Sequence, residues 1–273
     1  LYPDGGHNPH KKRLDTFYPK VKAFYERTLG KAPAPSLVQY AVALDHMAGI
    51  SRGADDIEIE TDVAFAEKAV CKADVYYHKS GGPRPAIITV HGSGGDKSRQ
   101  DEMALKFASW GYVAVPVNYG SGSDVADSVK WLRENSKKYG VDPDHIGLWG
   151  FSRGGASSII AALKAKSGQE VQAAVIVSGG TAGGAKLVHE GAPPFHLFAA
   201  KDDRNVNPKG SEMMRDALKK SGVDVVLTMY PDGGHNPHKK RLDEFYAEVK
   251  AFYARTLGAG PAALAESPEE TVV

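Results

Sequence analysis

A single cysteine, Cys71, stands among 273 residues. It excludes an intrachain disulfide, and neither redox chemistry nor compartment can be read from it. Charge of one sign is not in excess either. Lys and Arg together number 34 against 33 Asp and Glu, so no global field selects nucleic acid or an anionic membrane surface. No apolar run approaches the roughly twenty residues of a membrane span. A phosphate-cradling G-x-x-x-x-G-K-[ST] loop is also lacking. These absences predict a soluble globular protein with no nucleic-acid or membrane partner. The compartment stays unread, with the cytoplasm slightly favoured.

The most conspicuous feature present is an internal repeat. Leu1 to Gly30 reads LYPDGGHNPHKKRLDTFYPKVKAFYERTLG, and Met229 to Gly258 reads MYPDGGHNPHKKRLDEFYAEVKAFYARTLG. Only Leu1/Met229, Thr16/Glu244, Pro19/Ala247, Lys20/Glu248 and Glu26/Ala254 differ. The second copy follows a strand-like run, Val223 to Tyr230. It places Leu242, Phe245, Tyr246, Val249, Phe252 and Tyr253 on one helical stripe. In the first copy Pro19 interrupts that stripe, and an interior proline costs a helix about 3 kcal/mol. The organisation expected is a duplicated loop-helix segment over 1–30, a linker and helix over 31–56, a catalytic domain over 57–258 and a flexible tail over 259–273. The first copy reads as a surface appendage. A homodimer or domain exchange through its apolar stripe is the alternative.

Eight strand-like runs follow: Ile57–Phe65, Val70–His78, Ala86–Val90, Tyr112–Val117, Ile146–Trp149, Ala173–Val177, Phe195–Ala199 and Val223–Met229. The last six are short and continuously apolar, as strands buried on both faces are. Between them lie helical patterns at Arg99–Trp110, Asp124–Tyr139, Arg153–Lys166 and Pro208–Lys220, with Lys239–Leu257 closing the series. The alternation predicts an α/β fold, a mostly parallel sheet of about eight strands covered by helices on both faces. A site in such a sheet lies beyond the carboxyl ends of the strands.

Four sequence features converge on that edge. Gly150-Phe-Ser152-Arg-Gly154 is G-x-S-x-G between a buried strand and a small-residue helix. A serine lifted on such a turn needs glycines two before and two after it, and the next amide, that of Arg153, sits at a helix N-terminus. A glycine-rich chain produces this pattern by chance; the flanking strand and helix argue otherwise. A hydroxyl needs a base beside it, and His235 lies in the glycine loop after the last strand. His238, three residues on, reads as part of a solvated helix start with Lys239, Lys240 and Arg241. Asp232, His235 and His238 form an alternative metal set, but no further ligand cluster accompanies them. No metal and no cofactor is therefore expected. Asp203 or its neighbour Asp202, one strand earlier, would orient the imidazole. Asp203 is preferred, because Val206 supplies an apolar anchor three residues on, and Asp202 reads as a surface cap or pair. Finally, His91-Gly92-Ser93-Gly94-Gly95 follows the strand ending at Val90. It can aim the amides of Ser93 or Gly94, with that of Arg153, at an oxyanion. His91 itself reads as a brace of that loop.

The phrases VDPDHIGLWGFSRGG, VHGSGG, AAKDDRNVNP and YPDGGHNP resemble the α/β-hydrolase superfamily, and within it the dienelactone-hydrolase-like and small carboxylesterase group. The likeness runs over roughly Ile57 to Gly258. It implies an α/β-hydrolase fold, with Ser152 as nucleophile, Asp203 as orienter and His235 as base. Dienelactone hydrolases typically carry cysteine at the nucleophile, so Ser152 points to a more general ester hydrolase. Only Gly120 to Ser123 separate the strand near Tyr119 from the next helix, which leaves no room there for a large lid. The expected activity is hydrolysis of small-molecule short-chain or aryl esters through an acyl-enzyme. A prolyl-oligopeptidase-like peptidase shares the GxSxGG look but normally has a large gating domain upstream, for which no sequence is seen. A non-catalytic binding or self-association module is the remaining alternative. His7, the counterpart of His235 in the first copy, has the weaker claim on the serine.

Overall fold

The computed structural model describes residues 56–181 and 183–260, all belonging to the unit Gly53–Val273. The first copy of the repeat with His7 and Pro19, the 31–55 stretch and the tail from 261 lie outside the described residues. So does any exchange through the first copy.

Eight strands form one sheet in the order β1-β2-β4-β3-β5-β6-β7-β8. They are β1 Ile57–Ala64, β2 Lys72–His78, β3 Arg84–Val90, β4 Val113–Val117, β5 Val141–Phe151, β6 Ala173–Val177, β7 Phe195–Ala200 and β8 Val225–Tyr230. The β1/β2 and β2/β4 pairs are antiparallel, and every pair from β4 through β3 to β8 is parallel. The expected mostly parallel sheet is thus present. Strands β3, β4, β6 and β7 are buried throughout, which explains their lack of polar alternation.

Helices α1 Asp101–Ser109, α2 Gly122–Glu134, α3 Ser136–Tyr139, α4 Arg153–Leu163, α5 Lys209–Lys220 and α6 Leu242–Leu257 connect and cover the strands. Val125, Val129 and Leu132 of α2 share one core with Ile159 of α4, Met214 of α5 and the strand residues Ile88, Leu148 and Ile176. On the opposite face α1 meets α6. Phe107 stands edge-on to Tyr253 at 5.7 Å, and Trp110 to Tyr246 at 6.0 Å. Such offset aromatic pairs add stabilisation beyond their buried area.

The structure corrects several sequence boundaries. The helix expected over 124–139 breaks at Asn135, whose side chain donates to the Trp131 carbonyl at 2.8 Å and competes with the helical ladder. Strand β5 begins at Val141, five residues before the expected Ile146. Val141 pairs with Arg84, and the register then jumps to Ala86↔Ile146. In α6 Leu242 is exposed, whereas Phe245, Val249, Phe252 and Tyr253 are buried. The apolar stripe therefore starts at Phe245, one helical turn later than its spacing suggests. Between β4 and α2 lie only residues 118–121, and Ser121 and Asp124 close a capping box there. No described helix is long and apolar enough to cross a membrane.

Candidate active site

Strand β5 delivers Ser152 into a strained turn. Its φ of 55° and ψ of −121° lie in a region that non-glycine residues rarely occupy. Two bonds hold the strain: Ser152 N donates to the Val177 carbonyl at 2.8 Å, and Ala156 N to the Ser152 carbonyl at 3.0 Å. The glycines flanking the serine are obligatory for packing. A Cβ at Gly150 would lie 2.6 Å from Ser158 Oγ and 2.7 Å from the Gly154 carbonyl oxygen. One at Gly154 would lie 2.2 Å from the carbonyl oxygen of Val90.

Three sequence-distant side chains meet at this turn. His235 Nε2 is 2.9 Å from Ser152 Oγ, and His235 Nδ1 is 2.9 Å from Asp203 Oδ2. The second carboxylate oxygen of Asp203 accepts the amides of Asn205 at 2.8 Å and Val206 at 3.0 Å. Burial works against the charge on Asp203, but the His235 ring and the Val206 and Asn205 amides outweigh it. Its pKa is held below the ordinary carboxylate value. An ionised Asp203 takes the Nδ1 proton of His235 as a hydrogen bond, which leaves Nε2 bare and facing the hydroxyl.

Asp202 is exposed and pairs at the surface, as its sequence context suggests. Its Oδ1 accepts the amide of Gly234 at 2.8 Å, so it ties the histidine loop to the turn that carries Asp203. His91 braces its own loop as expected. It is buried, with Nδ1 2.8 Å from the Gly92 carbonyl, and its own carbonyl accepts the Tyr119 hydroxyl at 2.8 Å.

The expected solvated helix start at His238 is overturned. Pro237–Lys240 forms a 3₁₀ turn that buries His238 and leaves Lys239 and Lys240 exposed. The His238 ring packs on Phe151 at 6.0 Å and on Phe245 at 5.1 Å, and Phe151 in turn contacts the His235 ring at 5.1 Å. The members of the alternative metal set are thus committed separately, since Asp232 pairs with Arg241 and Lys240.

A cleft of about 520 Å³ opens above the serine. Gly92 and Ser93, Phe151 to Arg153, and Ala156 line it together with Gly179, Asn205, Val206 and His235. Gly94 lies outside that lining. Gly179 carried no motif and Asn205 no assigned role, yet both follow carboxyl ends of strands, where the sheet rule places a site.

Burial of two histidines predicts an acid-sensitive fold. His238 is pushed down to about 4 by burial, aided by Lys239. His196 is pushed down to about 4 by burial and Arg255, even though Glu248 Oε2 lies 3.2 Å from its Nε2. Between pH 6.5 and 4 the unfolded chain binds these protons and the native chain does not, so stability present above pH 6.5 is lost on acidification. Asp101, pushed up to about 6 by burial, opposes this, because its native form takes a proton first. These three groups alone leave a net loss on the order of 3 kcal/mol between pH 7 and pH 4.5, and His78 and His91, both lowered by burial, act in the same direction. Urea midpoints measured at both pH values check it; equal midpoints would contradict the assignment.

Comparisons with known proteins agree with this architecture. Residues 73–179 match the BD-FAE family model, and residues 184–260 match that of the prolyl oligopeptidase family. Esterase S of Drosophila virilis is 35% identical over 132 residues, 48% of this chain and 24% of that protein. The chain therefore spans about a quarter of that relative's length. A protein of Yersinia pestis described as a carboxymethylenebutenolidase is 25% identical over 197 residues, 61% of this chain and 73% of its own. The apo structure of Thermogutta terrifontis esterase 2 superposes with a TM-score of 0.66 at 17% identity, over 76% of this chain and 97% of that one. With its strand order and its turn at Ser152, the chain has the α/β-hydrolase fold.

Proposed function

We propose that the chain is a serine carboxylic-ester hydrolase acting through an acyl-enzyme on short-chain or aryl esters. The observation that carries this reading is the continuous 2.9 Å linkage from Asp203 through His235 to Ser152 at the floor of an open cleft. His235 Nε2 takes the Ser152 proton as the oxygen attacks the ester carbonyl. The amide of Arg153 and that of Ser93 or Gly94 receive the oxyanion. Collapse expels the alkoxide, which takes the proton from His235. Water then repeats the sequence on the acyl-enzyme and releases the acid and free Ser152.

Small residues at Ala156 and Gly179 and the short β4–α2 connection suit compact substrates better than bulky lipids. The esterase names of the relatives and structural neighbours lend support from outside the chain, and Thermogutta terrifontis esterase 2 has been phosphorylated by paraoxon. The test is reaction with paraoxon followed by peptide mass spectrometry. A diethylphosphoryl group on the peptide containing Ser152, with parallel loss of p-nitrophenyl acetate hydrolysis, is expected. Full hydrolysis without an adduct at Ser152 would refute the mechanism.

The prolyl oligopeptidase match over residues 184–260 favours one alternative, a serine peptidase using the same three side chains. Release of p-nitroaniline from a prolyl anilide faster than nitrophenol from the acetate would transfer the assignment to it.

A further inference from the structure

We infer that Arg153 forms an anion-recognition subsite that selects esters bearing a carboxylate on their acyl or alcohol portion. The inference rests on the ester-hydrolase reading and adds a substrate class to it.

Arg153 follows the serine directly, is exposed, and lines the same cleft. Its guanidinium carbon lies 5.2 Å from the Tyr119 ring centre, and Nη2 donates to the Gly120 carbonyl at 2.6 Å. These two contacts fix the planar group against the wall after β4. The Tyr119 hydroxyl, bonded to the His91 carbonyl, fixes the wall in turn. Among the described residues only one of its five N–H donors is used. A held fork with spare donors is pre-organised for a carboxylate.

The charge has no internal answer. Among the described residues Arg153 makes no ion pair, whereas Arg215, Arg241 and Arg255 each face an aspartate. No Asp or Glu lines the cleft. The nearest catalytic carboxylate, Asp203, has only 2% of its side chain exposed and is engaged by His235 and two amides. A neutral ester would leave this cation without a counter-charge; a carboxylate-bearing one would supply it.

The test compares matched pairs. Monomethyl succinate against methyl valerate probes the acyl portion, and 4-acetoxybenzoate against 4-tolyl acetate probes the alcohol portion. The readout is the anionic-to-neutral ratio of kcat/KM. Wild type is expected to favour the anion in at least one pair. In Arg153→Gln that ratio falls about tenfold, carried by KM, while Arg153→Lys keeps much of it. Salt raised from 0.02 to 0.5 M lowers the wild-type ratio and leaves that of Arg153→Gln unmoved, since screening acts on the charge pair alone. A merely structural Arg153 would not respond to salt in this way. Calorimetry of the same compounds on Ser152→Ala reads the subsite without turnover. Tighter binding of the anion supports it, even if no ester is cleaved and the hydrolase reading has failed. Equal binding of both pair members, or a ratio unchanged in Arg153→Gln, would overturn it.

Discussion

Ser152→Ala is expected to lower kcat for ester hydrolysis by about a millionfold, and His235→Ala by nearly as much. The double variant should lose little more than either single one. The reasoning is geometric. The hydroxyl and Nε2 are 2.9 Å apart, so proton removal and carbon–oxygen bond formation belong to one event, and removing either participant abolishes it. What survives is the contribution of pre-aligned amides and of binding. Ser152→Ala removes no core contact, since its side chain is only partly buried at the cleft. Its urea midpoint should stay close to wild type, with relief of backbone strain ruled out because alanine keeps the same φ. His235→Ala takes a ring from Phe151 and a partner from the buried Asp203 carboxylate, so its midpoint should fall. Hydrolysis of p-nitrophenyl acetate, with active-site titration to exclude trace wild type, measures the effect. Retention of more than a hundredth of the activity in Ser152→Ala would require a different nucleophile.

The second large effect is expected at Gly154, from a single added methyl group. The site where that methyl would sit is 2.2 Å from the Val90 carbonyl oxygen and 2.4 Å from that of His91. Those atoms are backbone at the end of a central strand, so no rotamer change can relieve the overlap. Either α4 lifts from β3 or the 91–95 loop is pushed outward. We expect Gly154→Ala to cost roughly 3 kcal/mol or more of stability, at the upper end for overpacking in a core. Any folded fraction should show kcat reduced about a hundredfold, because the same loop carries the Ser93 or Gly94 amide proposed to receive the oxyanion. Gly168→Ala is a useful contrast: its glycine has a positive φ of 84°, but its nearest neighbour is the flexible Lys130 side chain at 3.7 Å. It should lose stability by backbone strain alone and keep kcat. Denaturation curves beside single-turnover rates separate the two; a Gly154→Ala enzyme as stable and as fast as wild type would refute the packing argument.

The parts of this architecture that could be read from sequence share a physical character. Ser152, Asp203 and His235 each follow a short apolar run, and glycines or a turn mark the point where the strand ends. The succession of strands along the chain and the positions of these ends depend on local pattern. What escaped depended on partners distant in sequence. Val141 joins β5 only because Arg84 offers its edge, through a bond from Arg84 N to the Gly140 carbonyl at 2.8 Å. The apolar spacing of Val125, Val129 and Leu132 meets polar Asn135 and Ser136 before Tyr139, a local sign of the break that the helical reading passed over. His238 sits in a run of basic residues that hydropathy assigns wholly to water. The 3₁₀ turn begun by Pro237 sends that one ring inward, against Phe151 and Phe245. Asp202 was legible as a carboxylate needing a partner, but its partner is a backbone amide thirty-two residues away.

That last bond has a mechanical consequence. Neighbouring carboxylates on one turn grip the imidazole's ring and the imidazole's loop, so the base and its orienting carboxylate ride on a shared mount. Thermal drift of the mount carries the pair along together and leaves their mutual alignment intact. The gap to the hydroxyl, anchored on a different strand, is then the coordinate that heating widens first.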